Sequence, residues 1–456
     1  MKNFINETEI NKLLAEAKTG KADVIIQKAL KLKGLTPAET AVLLQLDDPA
    51  VIKKLFQAAR QVKETIYGRR LVIFAPLYIT NYCVNNCLYC GFRCSNRQLK
   101  RKRLTQAEIA AEVKILENQG HKRILLEAGE DSKAGIDYLE ESLKTIYQTK
   151  YRRGEIRRVN VNAAALSVRN FRRLKRTKIG TYQLFQETYH QKTYEQLHLS
   201  GPKADYLYHL FAMHRAQEAG IDDVGLGVLF GLYDYRFEVL ALLFHALELE
   251  KKFGVGPHTI SVPRIEPAAN SPLTIAPPAP VSDDDFKKIV AILRLAVPYT
   301  GLILSTRESA KMRNEVIGLG ISQISAGSST VPGGYKKSSA KKKVSGQFSI
   351  SDNRTLAEVI SDIAKLGYSP SFCTACYRLG RVGADFMAMA KPGLIKNFCL
   401  PNALLTFKEY LLDYGDKATR KLGNKVIRKG LKSIKNKKAF LAKLARLEAG
   451  KRDLYY

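Results

Sequence analysis

Two rhythms of apolar and polar positions run along this chain of 456 residues. Up to about residue 70 the apolar positions recur at helical spacing. Thr36-Pro37 ahead of one such run reads as an N-cap followed by proline in the first turn. A second unit then sets in. A short apolar run rich in β-formers closes on polar residues, and a helical run follows. The predicted strands are 71–80, 123–129, 158–165, 181–187, 224–231, 258–264, 301–306 and 321–327. Between them lie predicted helices such as 106–118, 204–219, 236–252 and 283–295. Eight strands alternating with helices predict an α/β protein built on a (β/α)8 TIM-type barrel.

The pattern divides the chain into an N-terminal helical extension (1–65), the barrel (66–345) and a mostly helical C-terminal domain (346–456) with a basic tail. A Lys/Ser/Gly-rich run from 336 to 347 reads as the linker between the last two. In such barrels the chemistry sits at the C-terminal ends of the strands. Those ends read ITNYCVNNCLYC, EAGED, QETYH, SVPRIEP, STRE and SAGSST, richer in Cys, Glu, His, Arg and Ser than the strand interiors.

Composition narrows the class further. A hydrophobic share of 45% excludes a disordered chain, and no apolar run reaches the ~18 residues of a membrane span. The N-terminus has early acids and no apolar signal core, so a cytoplasmic protein with no membrane partner is expected. Seven cysteines are too few for a disulfide scaffold of this length. Lys+Arg 74 against Asp+Glu 43 gives a net charge of +31, concentrated in blocks at 93–103, 169–178, 336–343 and 417–456. Solvated helix faces and loops are the plain reading of these blocks. A surface for an acidic protein is another. A nucleic-acid patch is a third, without interleaved aromatics or a recognisable motif to support it, so no nucleic acid is expected.

The cysteines fall into two sets. Cys83, Cys87 and Cys90 form C-x3-C-x2-C just after the first predicted strand, with Cys94 close behind. Four thiolates would suit zinc or a fully ligated [4Fe-4S] cluster, and three would leave one iron open. Cys373, Cys376 and Cys399 form C-x2-C-x22-C, for which zinc with a His or Asp as fourth ligand and a second iron–sulfur cluster are the two readings.

With an aromatic directly before its last cysteine (Leu88-Tyr89-Cys90), the first set resembles the signature of the radical S-adenosylmethionine (SAM) superfamily. That resemblance implies a [4Fe-4S] cluster held by Cys83, Cys87 and Cys90, with SAM on the open iron and Tyr89 near its adenine. Gly129-Glu130 after the second strand resembles the superfamily's Gly-Glu element, whose backbone binds the methionine amino group. The stretches ITNYCVNNCLYCGFR, QETYH, GPHTISVPRIEPA, SQISAGSST, SFCTACYRLGR and NFCLPNALLTFKEYLLDYG closely resemble the radical SAM tyrosine lyases of [FeFe]-hydrogenase maturation, from about residue 60 to 415. The second cysteine set separates that family from its relative, the 2-iminoacetate synthase of thiamine biosynthesis. Cys94, the Lys-rich insert and the basic tail depart from the family pattern.

The resemblance implies cleavage of the Cα–Cβ bond of L-tyrosine to p-cresol and dehydroglycine. Conversion to CO and cyanide would follow at an auxiliary iron–sulfur cluster (4Fe-4S plus a labile iron) on Cys373, Cys376 and Cys399. His258 resembles the histidine that ligates the labile iron, and a satisfied histidine at a strand start is the plainer alternative. Free cysteine, an electron donor such as a ferredoxin or flavodoxin, and other hydrogenase maturation proteins are the implied partners. For substrate contacts the strand ends offer Glu187, Tyr189, His190, Arg264, Ser305, Arg307, Ser325 and Ser328, of which Arg264, Arg307 and Ser325 are the expected catalytic set. A guanidinium would match the tyrosine carboxylate as a bidentate clamp.

Overall fold

The computed structural model describes residues 2–336 and 346–456, so most of the predicted Lys-rich linker lies outside the described residues. Eight strands close a parallel barrel: β1 (Arg70–Thr80), β2 (Arg123–Ala128), β3 (Arg158–Asn162), β4 (Tyr182–Gln183), β5 (Val224–Gly227), β6 (Thr259–Ser261), β7 (Gly301–Leu304) and β8 (Gln323–Ser325). Each pairs with its sequence neighbour, and β8 pairs with β1 through Val72↔Gln323, which completes the ring. β1 starts one residue before the run that predicted it, and the other seven strands are shorter than theirs, because the ends of those runs turn into the loops at the top of the barrel.

β1 carries the architecture. All of its 11 residues are buried, as expected of a parallel strand covered on both faces. Its C-terminal part pairs with β2, its middle with β8, and its first residues with a ninth strand, β9 (Ser369–Ser371), through Arg70↔Ser369. The sequence pattern missed β9, whose three residues are Ser-Pro-Ser and read as a turn. At an edge the missing N–H of Pro370 costs no ladder bond, so proline is tolerated there. β9 delivers the chain, and with it Cys373, to the N-terminal end of the barrel. The small hairpin of 150–151 and 154–155 was missed for the same reason of length.

The helices follow local chemistry. Thr36 and Thr105 each form a capping box with the glutamate three residues on, Glu39 and Glu108. The segment expected as one helix over 204–219 is broken at Phe211 into Tyr206–Leu210 and Ala212–Glu218, and the Phe211 ring packs edge-on against Phe4. Helix Lys396–Asp413 anchors the C-terminal region to the barrel. Its Glu409 meets Arg157 at 2.7 Å, both side chains almost fully buried. Lys122, at 4.0 Å, is a second cation near Glu409. Arg157→Met would therefore leave a buried carboxylate short of its main partner. The variant is expected to lose about 3–5 kcal/mol, read as a lower denaturant midpoint of the reconstituted protein.

Two of the basic blocks are used inside the fold. Arg101 donates to the carbonyls of Asn81, Phe92, Arg93 and Asn96 and so ties together the loop that holds the first three cysteines. Arg173 pairs with Asp137 and Glu140. The tail is different: helices Lys417–Leu431 and Lys437–Glu448 carry mostly exposed lysines and arginines. Among the described residues, no helix is long and apolar enough to cross a membrane.

Candidate functional sites at the two ends of the barrel

At the C-terminal end of the strands a cavity of about 180 Å³ opens into the barrel, and Cys83, Cys87 and Cys90 stand in its wall. The loop that carries them is fixed at several points. Asn85 donates to the Glu130 carboxylate at 2.6 Å and accepts from the Lys203 N–H at 2.9 Å. The Val84 N–H donates to the Glu130 carbonyl, and the Gly129 N–H donates to Thr80. A Cβ at Gly129 would stand 2.3 Å from the Tyr82 carbonyl oxygen, so only glycine lets the β2 end approach the cysteine loop this closely. The Tyr89 hydroxyl lies 2.7 Å from His198 Nε2, which fixes the ring beside the cysteines.

Burial pushes the Cys87 thiol far up, with the thiolates of Cys90 and Cys83 adding to it. Cys90 is pushed up to about 11, again by burial first and Cys83 second. Three thiols that oppose one another's ionisation need a bound cation to hold them as thiolates, and an iron–sulfur cluster supplies that charge. The Phe92 N–H, 3.4 Å from Cys90 Sγ, and the Asn85 amide, 3.7 Å from Cys83 Sγ, provide the hydrogen bonds such sulfurs accept. Cys94 is exposed and is not in the cavity wall, which leaves three cysteines rather than four.

The same wall contains Glu187, Ser305, Arg307, Ser325 and Ser328. The Arg307 guanidinium sits over Phe348, 3.3 Å from the ring centroid, and the Ser325 and Ser328 hydroxyls are buried without a protein partner. Glu187 pairs with Lys203 at 2.8 Å. Arg264, Tyr189 and His190 stand elsewhere. The Arg264 guanidinium is taken up by Glu308 and Asp283, and Tyr189 by His245. His190 caps the next helix and stacks on Tyr233. Sequence position places all three at strand ends, but the strand end alone does not tell which way a side chain turns. Among the cavity residues that went unpredicted are Glu127 and Asn162, polar side chains at the ends of apolar strands. Burial raises the Glu127 carboxyl to about 8, with Asn162 and Arg307 pulling the other way.

A second cavity, of about 60 Å³, lies at the opposite, N-terminal end of the strands. Cys373, Cys376 and Cys399 line it together with His258. Barrel chemistry was expected at the C-terminal ends, and His258 sits directly before β6, at the other end. The wall is also formed by Arg70, Arg123 and Arg158, each the first residue of its strand and each buried. Arg123 donates to the Cys373 carbonyl at 2.7 Å, and the Ala375 N–H points at Cys373 Sγ at 3.4 Å. Burial raises the Cys373 and Cys376 thiols, and the neighbouring cysteines push the same way. Burial keeps His258 neutral, at about 4, against the opposing pull of Asp223. Three thiols, an unprotonated imidazole and a ring of guanidinium charge fit an anionic iron–sulfur cluster with one open iron.

Comparison with known proteins gives a consistent result. Residues 77–244 match the radical SAM superfamily, and residues 261–369 match the biotin and thiamin synthesis associated domain. A crystal structure of HydG, described as a maturase of the [FeFe]-hydrogenase, is 56% identical and superposes with a TM-score of 0.96 over 100% of both chains. The FeFe-hydrogenase maturase HydG from Carboxydothermus hydrogenoformans is 42% identical, with a TM-score of 0.84 over 96% of this chain and 97% of that one. The 2-iminoacetate synthase of Escherichia coli (strain K12) is 32% identical over 353 residues, 77% of this chain and 90% of the relative.

Proposed function

We propose, for a chain that belongs to the HydG family of radical SAM enzymes and so works with a [4Fe-4S] cluster and SAM, that it is a tyrosine lyase supplying CO and cyanide for [FeFe]-hydrogenase maturation. The observation that carries this reading is the convergence of Cys373, Cys376, Cys399 and His258 on a second cavity, across the barrel from the SAM cysteines. When bound, the first cluster and SAM supply a one-electron reduction that gives methionine and a 5′-deoxyadenosyl radical.

The residues of the upper cavity then have separate tasks. Cys83, Cys87 and Cys90 hold the cluster, Tyr89 packs beside the adenine, and the Gly129-Glu130 backbone receives the methionine amino group. Arg307 takes the tyrosine carboxylate, and the unpartnered hydroxyls of Ser325 and Ser328 bond to the substrate's polar groups. Arg264 shapes the rim through Glu308 and is assigned no substrate contact. Enclosure inside the barrel keeps water from the reacting amino acid, and positioning is the protein's main contribution. Transfer of a hydrogen atom from the substrate amino group to the 5′-deoxyadenosyl radical gives 5′-deoxyadenosine and weakens the Cα–Cβ bond, which breaks to dehydroglycine and a 4-hydroxybenzyl radical; one electron from the reductant and one proton convert the latter to p-cresol.

Dehydroglycine is carried on to CO and cyanide at the lower site. Cys373, Cys376 and Cys399 hold the auxiliary cluster there. His258 holds a labile iron, which leaves with CO, cyanide and free cysteine as the product. A ferredoxin or flavodoxin supplies electrons, and the hydrogenase maturation proteins receive the product. Anaerobic incubation with SAM, L-tyrosine and dithionite tests the first half: p-cresol is expected together with 5′-deoxyadenosine. SAM cleavage that leaves tyrosine intact would overturn it. A 2-iminoacetate synthase is the second reading, favoured by the match over 90% of that relative, and it predicts p-cresol without CO.

The His258 assignment has its own test. The labile iron would have His258 as its protein ligand, whereas three thiolates would hold the cubane. His258→Ala is expected to keep p-cresol formation, lose the extra iron and make little of the iron–CO–cyanide product. A variant with wild-type iron and normal CO and cyanide infrared bands would contradict it. A histidine that only satisfies a strand-end hydrogen bond predicts full iron and a stability loss of about 1 kcal/mol.

A further inference from the structure

β5 and β6 are neighbours in register, Gly225 opposite Thr259, and the His258 N–H donates to the Val224 carbonyl at 2.9 Å. That pairing places the residue before each strand side by side at the bottom of the barrel. The residue before β6 is His258, and the residues before β5 are Asp222 and Asp223. Asp223 is the one turned inward. Its side chain is 2% exposed, and its Oδ1 lies 3.3 Å from His258 Nδ1. The carboxylate is fixed from two more directions. The Gly383 N–H, from the C-terminal region, donates to Oδ1 at 3.1 Å, and Arg158 Nη2 lies 3.5 Å from Oδ2.

The two ring nitrogens of His258 therefore have different surroundings. Nδ1 is fully buried and faces Asp223, without an aligned hydrogen bond in this ring pose. Nε2 is not among the buried, unpartnered atoms, and the ring lines the lower cavity with the three cysteines. Phe386 packs on the ring with its centroid 4.6 Å away. A carboxylate beside Nδ1 favours the tautomer with the proton on Nδ1, which leaves the Nε2 lone pair free. Carboxylates behind metal-binding histidines act in this way in many proteins, setting both tautomer and ring orientation.

We propose that Asp223 is a positioning residue for the labile iron: it holds His258 in the Nδ1–H tautomer with Nε2 presented to the lower cavity. The inference rests on reading His258 as the iron ligand. Through Gly383 the same carboxylate ties that orientation to the docking of the C-terminal region, so the imidazole is aligned only when the second cysteine set is in place.

The test compares Asp223→Ala, Asp223→Asn, His258→Ala and the Asp223→Ala/His258→Ala double variant, each anaerobically reconstituted with ferrous iron and sulfide. Iron per chain, cluster EPR spectra and the concentration of a ferrous chelator needed to strip the extra iron are the readouts. Asp223→Ala should bind the extra iron about 10- to 100-fold more weakly while keeping both cubane EPR signals. Asp223→Asn keeps an oxygen that accepts from both Nδ1–H and Gly383, and should retain most of the affinity. In the His258→Ala background, Asp223→Ala should change nothing further.

Wild-type retention of the iron in Asp223→Ala, with His258→Ala losing it, would overturn the role of Asp223 alone. Retention in His258→Ala would overturn the ligand reading beneath it. Loss of the auxiliary cubane in Asp223→Ala would overturn the positioning role too, since the carboxylate would then be holding the C-terminal region rather than the imidazole.

Discussion

Alanine in place of Cys83, Cys87 or Cys90 is expected to reduce SAM cleavage to background and to remove one [4Fe-4S] cluster from the chain. The size of the effect follows from the geometry. The three thiols stand in one cavity wall, and no fourth cysteine there can replace a lost one. Without the cluster there is no route for an electron into SAM, so 5′-deoxyadenosine and p-cresol should disappear together. Cys94→Ala is the internal control. Cys94 is exposed, its backbone N–H bonds to Asn85, and its side chain lies outside the cavity wall. Its replacement should leave iron content and SAM cleavage unchanged. A Cys94 variant that folds normally but no longer cleaves SAM would show that the cluster is held by a different set of thiolates.

The second large effect separates the two ends of the barrel. Alanine at Cys373, Cys376 and Cys399 is expected to leave most p-cresol formation in place and to bring CO release close to zero. In the proposed function the radical is generated at the upper cavity, while these cysteines line the lower one. The two cavities are reached from opposite ends of the same strands, so the loss should not cross from one to the other. Gas analysis for CO and chromatography for p-cresol on the same reaction give the ratio. Equal loss of both products would mean that the C-terminal cysteines chiefly support the barrel, through β9 and its pairing with Arg70–Val72.

Much of this arrangement is legible in the sequence because the barrel strands are buried on both faces and so read as nearly continuous apolar runs. Seven of the eight predicted runs contain their strand, and the first misses only Arg70, the opening residue of β1. The cysteine loop is legible too, since its spacing is local. What the pattern could not give is direction and end. His258 precedes its strand by one residue, and Arg264 follows it by three. Only the closed barrel makes clear that the first belongs to the bottom and the second to the rim. β9 escaped notice because three residues with a central proline carry no periodicity. Arg70, Arg123 and Arg158 were visible as charges opening apolar strands. Their convergence, however, depends on the parallel register of β1, β2 and β3, which brings three strand starts to one edge of the sheet. Asp223 carried no local signal at all, because its meaning comes from the neighbouring strand.

In the proposed function one chain cleaves tyrosine at one end of its barrel and completes the conversion at the other. The most direct measurement is infrared spectroscopy of the reconstituted enzyme turning over tyrosine labelled with heavy carbon in the carboxyl group, and separately at Cα with heavy nitrogen. Dehydroglycine keeps both carbons and the nitrogen, so the account predicts that the carboxyl label shifts only CO bands and the Cα and nitrogen labels shift only cyanide bands, with p-cresol released alongside. Release of p-cresol with no labelled CO or cyanide band, from enzyme with its full iron content, would contradict it.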